Sequence, residues 1–165
     1  MTDLTFDNLA ASLCAGEAAP HCLSMRFIDC DIVLRSNNSQ LLDALADYFH
    51  TQLTSTVSPQ VIELLLIDGQ SVEPPLPVFD WPRAAGTQRK EAVAELRDGR
   101  IIHKVRTGVL FVQGYDRGLA IGPLLANTNQ VINFINNQTI GLWKRNGWQI
   151  CHASALLGDR GVVAF

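Results

Sequence analysis

The sequence predicts an α+β protein in which helices pack on an antiparallel sheet, and three observations support this fold class. Short apolar runs typical of strands recur in both halves of the 165-residue chain. Two other segments repeat apolar residues at spacings of three and four, the period of an amphipathic helix. The pair Asp98-Gly99 stands between two strand-like runs, and such a pair favours the tight turn of a hairpin.

The first half of the chain predicts a helix, a strand, a second helix and a second strand. Apolar residues from Leu4 to Leu13 fit a short helix, and alternation from Leu23 to Leu34 fits one half-buried strand with a bulge. Ser36 to Ser39 are expected to cap an amphipathic helix that runs on to Leu53. The continuous apolar run Val61 to Ile67 suits a strand that is covered on both faces.

A proline-rich segment from Val72 to Pro82 separates the two halves. Proline removes backbone donors and restricts φ, so this segment is expected to be extended. Its large apolar residues, Val78, Phe79 and Trp81, favour an arm packed against the core over a free linker or a hinge.

The second half predicts an antiparallel meander followed by the longest helix. The four strands of the meander are expected at Glu91–Leu96, Ile101–Arg106, Val109–Val112 and Leu119–Ile121. Asn127 is expected to cap the helix, with Gln130 reaching back as in a capping box. Asn146-Gly147 is a natural helix end, and Trp148 is expected to begin a terminal strand.

Composition and charge restrict the classes of function. With 47% hydrophobic residues and a mean hydropathy of +0.12, the chain is expected to fold compactly. A net charge of −3 and a pI near 5.7 argue against nucleic acid or an anionic membrane as the partner. No apolar run approaches the roughly 20 residues of a membrane span, and no leader peptide opens the chain, which predicts a cytoplasmic protein.

The four cysteines are Cys14, Cys22, Cys30 and Cys151. They are too widely spaced for a redox pair or a zinc site, so they are expected to be reduced and no metal site is predicted.

The common catalytic motifs are absent from these residues, including the P-loop, the dinucleotide fingerprint, the zinc-protease motif and the nucleophile elbow. Gly158 to Gly161 is interpreted as a hairpin turn and not as a phosphate-binding loop. Two polar clusters near predicted turns either form turns and caps or line a cleft: Arg106-Thr107-Gly108 and the group Asn127, Asn129 and Gln130.

The last residues, His152 to Phe165, have the pattern of a strand, a tight turn and a second, apolar strand. A buried strand needs partners for its backbone and its side chains. We therefore expect further sequence to follow Phe165.

Three stretches of the chain resemble the HPr kinase-related kinases, a branch of the HPr kinase family. They are RIIHKVRTGVLF (100–111), AIGPLLANTNQVINFI (120–135) and HASALLGDRGVVAF (152–165). The resemblance implies that residues 1–147 are an N-terminal α+β region and that residues 148–165 are the first strands of a phosphoenolpyruvate-carboxykinase-like P-loop kinase core. It implies ATP and Mg²⁺ as cofactors and phosphate transfer to a hydroxyl of a protein or small molecule. The P-loop is expected after Phe165, so the chain by itself is expected to be inactive.

The resemblance also implies one catalytic residue. HPr kinases place an active-site His at the start of this strand pair, and His152 stands in that position. An imidazole there can orient the acceptor or respond to the γ-phosphate charge. The alternative is a strand-start His whose ring is satisfied by a backbone carbonyl. The sequence continues His-Ala-Ser where HPr kinases have His-Gly, so the acceptor is not specified.

Two other functions are compatible with the sequence. The chain could be a self-contained α+β binding or regulatory module without catalysis. It could also complete its sheet by assembling with another subunit, since an apolar terminal strand favours edge pairing. The acceptor, the pathway and any homo-oligomeric state are left open.

Overall fold

The computed structural model describes residues 4–28, 30–58, 60–75, 90–149, 155–158 and 161–164, the last two segments by their backbone alone. The described helices are α1 (Phe6–Leu13), α2 (Ser39–Tyr48) and α3 (Thr128–Arg145), with 3₁₀ turns at His50–Gln52 and Leu125–Asn127. The described strands are β1 (His21–Phe27), β2 (Cys30–Ser36), β3 (Val61–Asp68), β4 (Glu91–Leu96), β5 (Gly99–Lys104), β6 (Val109–Gln113), β7 (Arg117–Gly122), β8 (Ala155–Gly158) and β9 (Gly161–Ala164).

Seven strands form one mixed sheet in the order β1-β2-β3-β7-β6-β5-β4. The α+β class is confirmed, and so is the antiparallel meander from β4 to β7. The prediction of a wholly antiparallel sheet is wrong, because β2, β3 and β7 are parallel to one another. Helix α2 connects β2 to β3, and a helical crossover returns the chain in the same direction.

The β1–β2 hairpin replaces the single bulged strand expected between Leu23 and Leu34. Phe27 pairs with Cys30, and Ile28 lies in the turn between the two strands. Ile28 adopts a positive φ of 51° and is 69% exposed. A β-branched residue rarely takes a left-handed conformation, so the sequence carried no turn signal at this position.

The hairpin expected at Asp98-Gly99 is confirmed, but its turn lies one residue earlier. Leu96 pairs with Gly99, which leaves Arg97 and Asp98 as the loop, and neither has a positive φ. Gly99 is required for a different reason, because a Cβ there would lie 2.2 Å from the carbonyl oxygen of Gln113 on β6.

Helix α2 begins as predicted and ends earlier. The side chain of Asn38 accepts hydrogen bonds from the amides of Gln40 (2.9 Å) and Leu41 (3.4 Å), so it is the N-cap. The helix stops at Tyr48. Leu53 is extended and bridges to Met25 of β1, which removes it from the helix.

The helices cover the two faces of the sheet unequally. Helices α2 and α3 pack on one face, over buried residues that include Leu34, Leu64 and Phe111. Helix α1 packs on the other face, where Phe6 and Leu9 cover a smaller cluster from the meander and the end of β3. The prediction that β3 is covered on both faces is therefore wrong in part, because Glu63 is exposed on the α1 face.

Helix α3 lies close against β7 because residue 118 is glycine. A Cβ on Gly118 would lie 2.6 Å from the amide nitrogen of Gln138 and 2.8 Å from side-chain atoms of Leu64 and Phe134. Gln138 is buried in this interface and donates to the Arg117 carbonyl at 3.2 Å. Buried polar groups need such partners.

Asp68 joins the starts of both helices on the covered face. Its carboxylate accepts hydrogen bonds from the Asn38 side-chain amide (2.7 Å) and from the Leu125 backbone amide (2.9 Å). Asn37 bonds the backbone N–H and C=O of Asp68 at 2.9 and 3.0 Å. The end of β3 is thereby tied to the segments that lead into α2 and α3.

A buried carboxylate connects the β1–β2 hairpin to the loop before β3. Asp31 is fully buried, and Arg26 donates to its two oxygens at 2.8 and 2.9 Å. The Ser58 amide donates to the same group. The hydrogen bonds from Arg26, and then the Ser58 amide, lower the pKa of Asp31 from 3.8 to about 2, against the opposing effect of burial.

Several sequence predictions have a simple outcome. Cys14, Cys22 and Cys30 are free thiols, as predicted. Trp148 and Gln149 are not in a strand. The anchors of the proline-rich arm, Val78, Phe79 and Trp81, lie outside the described residues. Among the described helices, none has both the length and the hydrophobicity needed to cross a bilayer.

The close contact at Gly118 predicts that Gly118→Ala destabilises the protein by about 1–3 kcal/mol, because α3 must move away from β7. Gly69→Ala is the matched control, since no atom lies within 4 Å of a Cβ at that position. Urea denaturation of both variants measures the difference, and equal stabilities would contradict the packing.

The Asp31 pair predicts a specific acid sensitivity. Because its pKa is lower in the folded protein, the unfolded chain takes up the proton first as the pH falls. The stabilisation is therefore complete above about pH 4 and is lost between pH 4 and pH 2. Asp31→Asn should lower the free energy of unfolding at pH 7 by about 1.5–3 kcal/mol.

The same variant should flatten the dependence of unfolding free energy on pH between 4 and 2. Asp43→Asn, at an exposed position of α2, is the control. Chemical denaturation across this pH range tests both points, and an unchanged acid slope in Asp31→Asn would contradict the assignment.

Candidate functional site

The predicted catalytic residue, His152, lies outside the described residues, so its role stays a prediction. The strand pair that follows it is confirmed at the level of the backbone. Strands β8 and β9 are antiparallel, and Gly158 pairs with Gly161, which makes this stretch a hairpin as interpreted from the sequence. The described residues contain no group of His, Cys, Asp and Glu that could hold a metal ion.

The two polar clusters singled out in the sequence come together. The Thr107 hydroxyl donates to the Gln130 side chain at 3.1 Å, and the Gln130 amide donates to Asn127 at 3.4 Å. Asn127 in turn donates to the Pro123 carbonyl at 2.8 Å. The predicted side-chain cap by Asn127 is wrong, because the 3₁₀ turn before α3 directs this side chain back to the end of β7.

Gly108 allows a third segment to reach this corner. Its φ is +69°, and a Cβ at this position would lie 2.1 Å from the Ser71 hydroxyl. The segment after β3 therefore passes directly against the β5–β6 turn. The polar corner is held together by its own contacts, which favours turn formation over an open cleft at this point.

A cleft of about 340 Å³ lies elsewhere, on the α1 face of the sheet. Val33, Leu65 and Leu119, from the three parallel strands, form an apolar floor, and Phe6 and Ala10 of α1 form one wall. Its size and apolar lining with a few polar groups are typical of ligand sites. We take this cleft as the candidate functional site.

Arg117 fastens α1 at the rim of the cleft. Its guanidinium contacts the carboxylates of Asp7 (2.5 Å) and Asp98 (3.1 Å) and lies 4.9 Å from the centre of the Phe6 ring. Asp98 also accepts a hydrogen bond from the Phe6 amide at 2.8 Å. The first turn of α1 is thereby held against β7 and the β4–β5 turn.

Two opposite charges at the rim have no such partners. Arg35 of β2 and Glu63 of β3 are exposed, lie on the same face of the sheet, and are joined by an ion pair to no other described residue. In the register, Val33 pairs with Glu63 and Arg35 with Leu65, so the two charges are diagonal neighbours above the apolar floor. They are available to a ligand.

The charged groups of the cleft are two carboxylates, Asp7 and Glu63, and two guanidinium groups, Arg35 and Arg117. Such groups can bind a ligand that carries charges of both signs. The sequence did contain a signal for this site, because Glu63 interrupts the apolar run from Val61 to Ile67 and Arg35 follows the apolar residues Ile32 to Leu34. Sequence reasoning missed it, because the two strands were not expected to be parallel neighbours.

Comparison of the chain with protein-family models, with curated proteins and with solved structures finds no significant match.

The contacts of Arg117 predict that Arg117→Gln loosens α1. The loss of two partly exposed ion pairs and one cation–π contact is expected to cost about 1–2 kcal/mol locally. Hydrogen exchange of the α1 amides should accelerate by a factor of about 5–30, with little change in β2 and β3. Arg35→Gln, which removes a charge without a partner, should leave α1 exchange unchanged. Unchanged α1 exchange in Arg117→Gln would contradict this role.

Proposed function

We propose that this chain belongs to an ATP-dependent, HPr kinase-related kinase that transfers phosphate to a hydroxyl of a protein or a small molecule. In this proposal residues 1–147 are its N-terminal α+β region, and residues 148–165 are the first strands of a P-loop core. A cytoplasmic location is part of the proposal, and the oligomeric state is left open.

One structural observation agrees with it. Two of the stretches that resemble the family are separated by eight residues in the sequence and pack against each other in the fold. Residues 100–111 form β5, a turn and β6, and residues 120–135 form the end of β7 and the start of α3. The hydrogen bond between Thr107 and Gln130 joins them. The third stretch includes the β8–β9 hairpin.

The described residues do not fit ATP or Mg²⁺. They include no Gly-rich loop with a following Lys and no cluster of metal ligands. No step of phosphate transfer is therefore assigned to them. The cleft beside α1 suits a different step of the proposed function, the recognition of the acceptor.

The kinase proposal is tested on the full product of the gene. We expect magnesium-dependent ATP binding and phosphate transfer, and we expect His152→Ala to abolish transfer while thermal unfolding stays unchanged. His21→Ala, at an exposed position of β1, is the control. Turnover that survives in His152→Ala would remove the catalytic assignment, and a gene product that binds no ATP would overturn the kinase proposal.

The cleft favours a second candidate, a binding or regulatory module without catalysis. Such a module would bind its ligand through Arg35 and Glu63 with no need for a nucleotide. A gene product without ATP binding, in which a ligand perturbs the NMR signals of Val33 and Leu65, would support this candidate over the kinase.

A further inference from the structure

A second hollow of about 340 Å³ lies at one end of the sheet. It is formed where the β4–β5 turn, the β6–β7 turn and the last turns of α3 meet. Three arginines from these separate segments line it: Arg97, Arg100 and Arg145. Tyr115 also lines it and is 63% exposed. The function proposed above uses none of these residues.

The lining of the hollow carries an excess of positive charge, with three arginines against two carboxylates. Two carboxylates, Glu95 and Asp98, share its lining. Asp98 is already engaged outside it, by the Phe6 amide and by Arg117. No carboxylate of a described residue forms an ion pair with Arg97 or Arg145.

Arg100 adds to this charge, although Glu95 lies opposite it on the neighbouring strand. Its Nε donates to the neutral side chain of Gln113 at 2.8 Å, which leaves the terminal nitrogens of the guanidinium for another acceptor. An arginine fork of this kind binds phosphate oxygens well, because its donors match their geometry.

Arg145 lies beside Tyr115 at the wall of the hollow. Its guanidinium donates to the Tyr115 carbonyl and lies 5.2 Å from the centre of the Tyr115 ring. Gly141, one turn earlier on α3, also lines the hollow.

The carbonyl end of α3 would oppose an anion if it were left bare. Its carbonyls are instead occupied. Those of Leu142 and Trp143 accept from the amides of Asn146 and Trp148 at 2.9 Å, and that of Lys144 accepts from Gly147 at 3.2 Å. These hydrogen bonds reduce the repulsion that the end of α3 would exert on an anion.

We propose that this hollow binds a small phosphomonoester that carries a planar ring, a mononucleotide in type. Arg97 and Arg145 pair with the phosphate, Arg100 adds a third donor group, and the ring stacks on the exposed face of Tyr115. This site needs no P-loop, so it can be tested separately from the kinase proposal.

Isothermal titration of the 165-residue chain with AMP, inorganic phosphate and adenosine tests the site. AMP should bind at least about ten-fold more tightly than phosphate or adenosine alone, and its affinity should fall as salt is added. The double variant Arg97→Gln/Arg145→Gln should weaken AMP binding at least about ten-fold. Lys90→Gln, at an exposed position before β4 that does not line the hollow, should leave it unchanged.

A second pair of variants tests the ring contact. Tyr115→Ser should reduce AMP affinity to that of phosphate, whereas Tyr115→Phe should retain it, because stacking needs the ring and not the hydroxyl. The arginines and Tyr115 lie at the surface, and thermal unfolding should verify that each variant is folded. Absence of saturable AMP binding to the folded wild-type chain would overturn the proposal, as would AMP binding that the double variant leaves intact.

If the 165-residue chain binds AMP at this hollow but the gene product shows no ATP-dependent phosphate transfer, only the kinase proposal is overturned. If the gene product transfers phosphate but the 165-residue chain does not bind AMP, only the proposed AMP site is overturned.

Discussion

The carboxylate of Asp68 is the contact on which the helix layer depends. It lies at the end of the central strand β3. It accepts hydrogen bonds both from Asn38, which caps α2, and from Leu125, in the turn that leads into α3. Because β3 lies between β2 and β7, one side chain sets the starting points of both helices relative to all three parallel strands. Gly118 then allows α3 to approach β7 closely enough for Phe134 to stack on Phe111 at 4.7 Å. The covered face of the sheet follows from these two constraints.

Placing both long helices on one face leaves the other face to the short helix α1. Eight residues cannot cover seven strands, so Leu65 stays partly exposed, and Arg35 and Glu63 stay exposed beside it. The cleft is thus a consequence of the topology. Its edge is stabilised by Arg117, whose partner Asp98 also lines the arginine hollow. The two candidate ligand sites therefore share one ion pair.

In the proposed kinase, phosphate transfer and ligand binding would belong to different parts of the protein. Phosphate transfer needs backbone amides at a helix start, a lysine and a metal-binding hydroxyl, and the described residues offer a sheet with a binding cleft. In the proposed kinase, this region would hold the acceptor. The buried Asp31 pair and the glycine contact at β7 hold its strands and helices together. The polar corner of Thr107 and Gln130 joins the β5–β6 turn to the start of α3.

The amino-acid pattern by itself determined the α+β class, the meander from β4 to β7, the cap of α2 at Asn38 and the hairpin near Asp98. These features depend on neighbours within a few residues, where turn chemistry and apolar spacing act directly. Tertiary structure alone decided the parallel centre of the sheet, the turn at Ile28, the redirected side chain of Asn127 and the need for glycine at residue 118. It also brought Arg35 beside Glu63, and Arg97 beside Arg145. Those outcomes depend on contacts between residues far apart in sequence, and a local pattern carries no information about which distant backbone will lie against it.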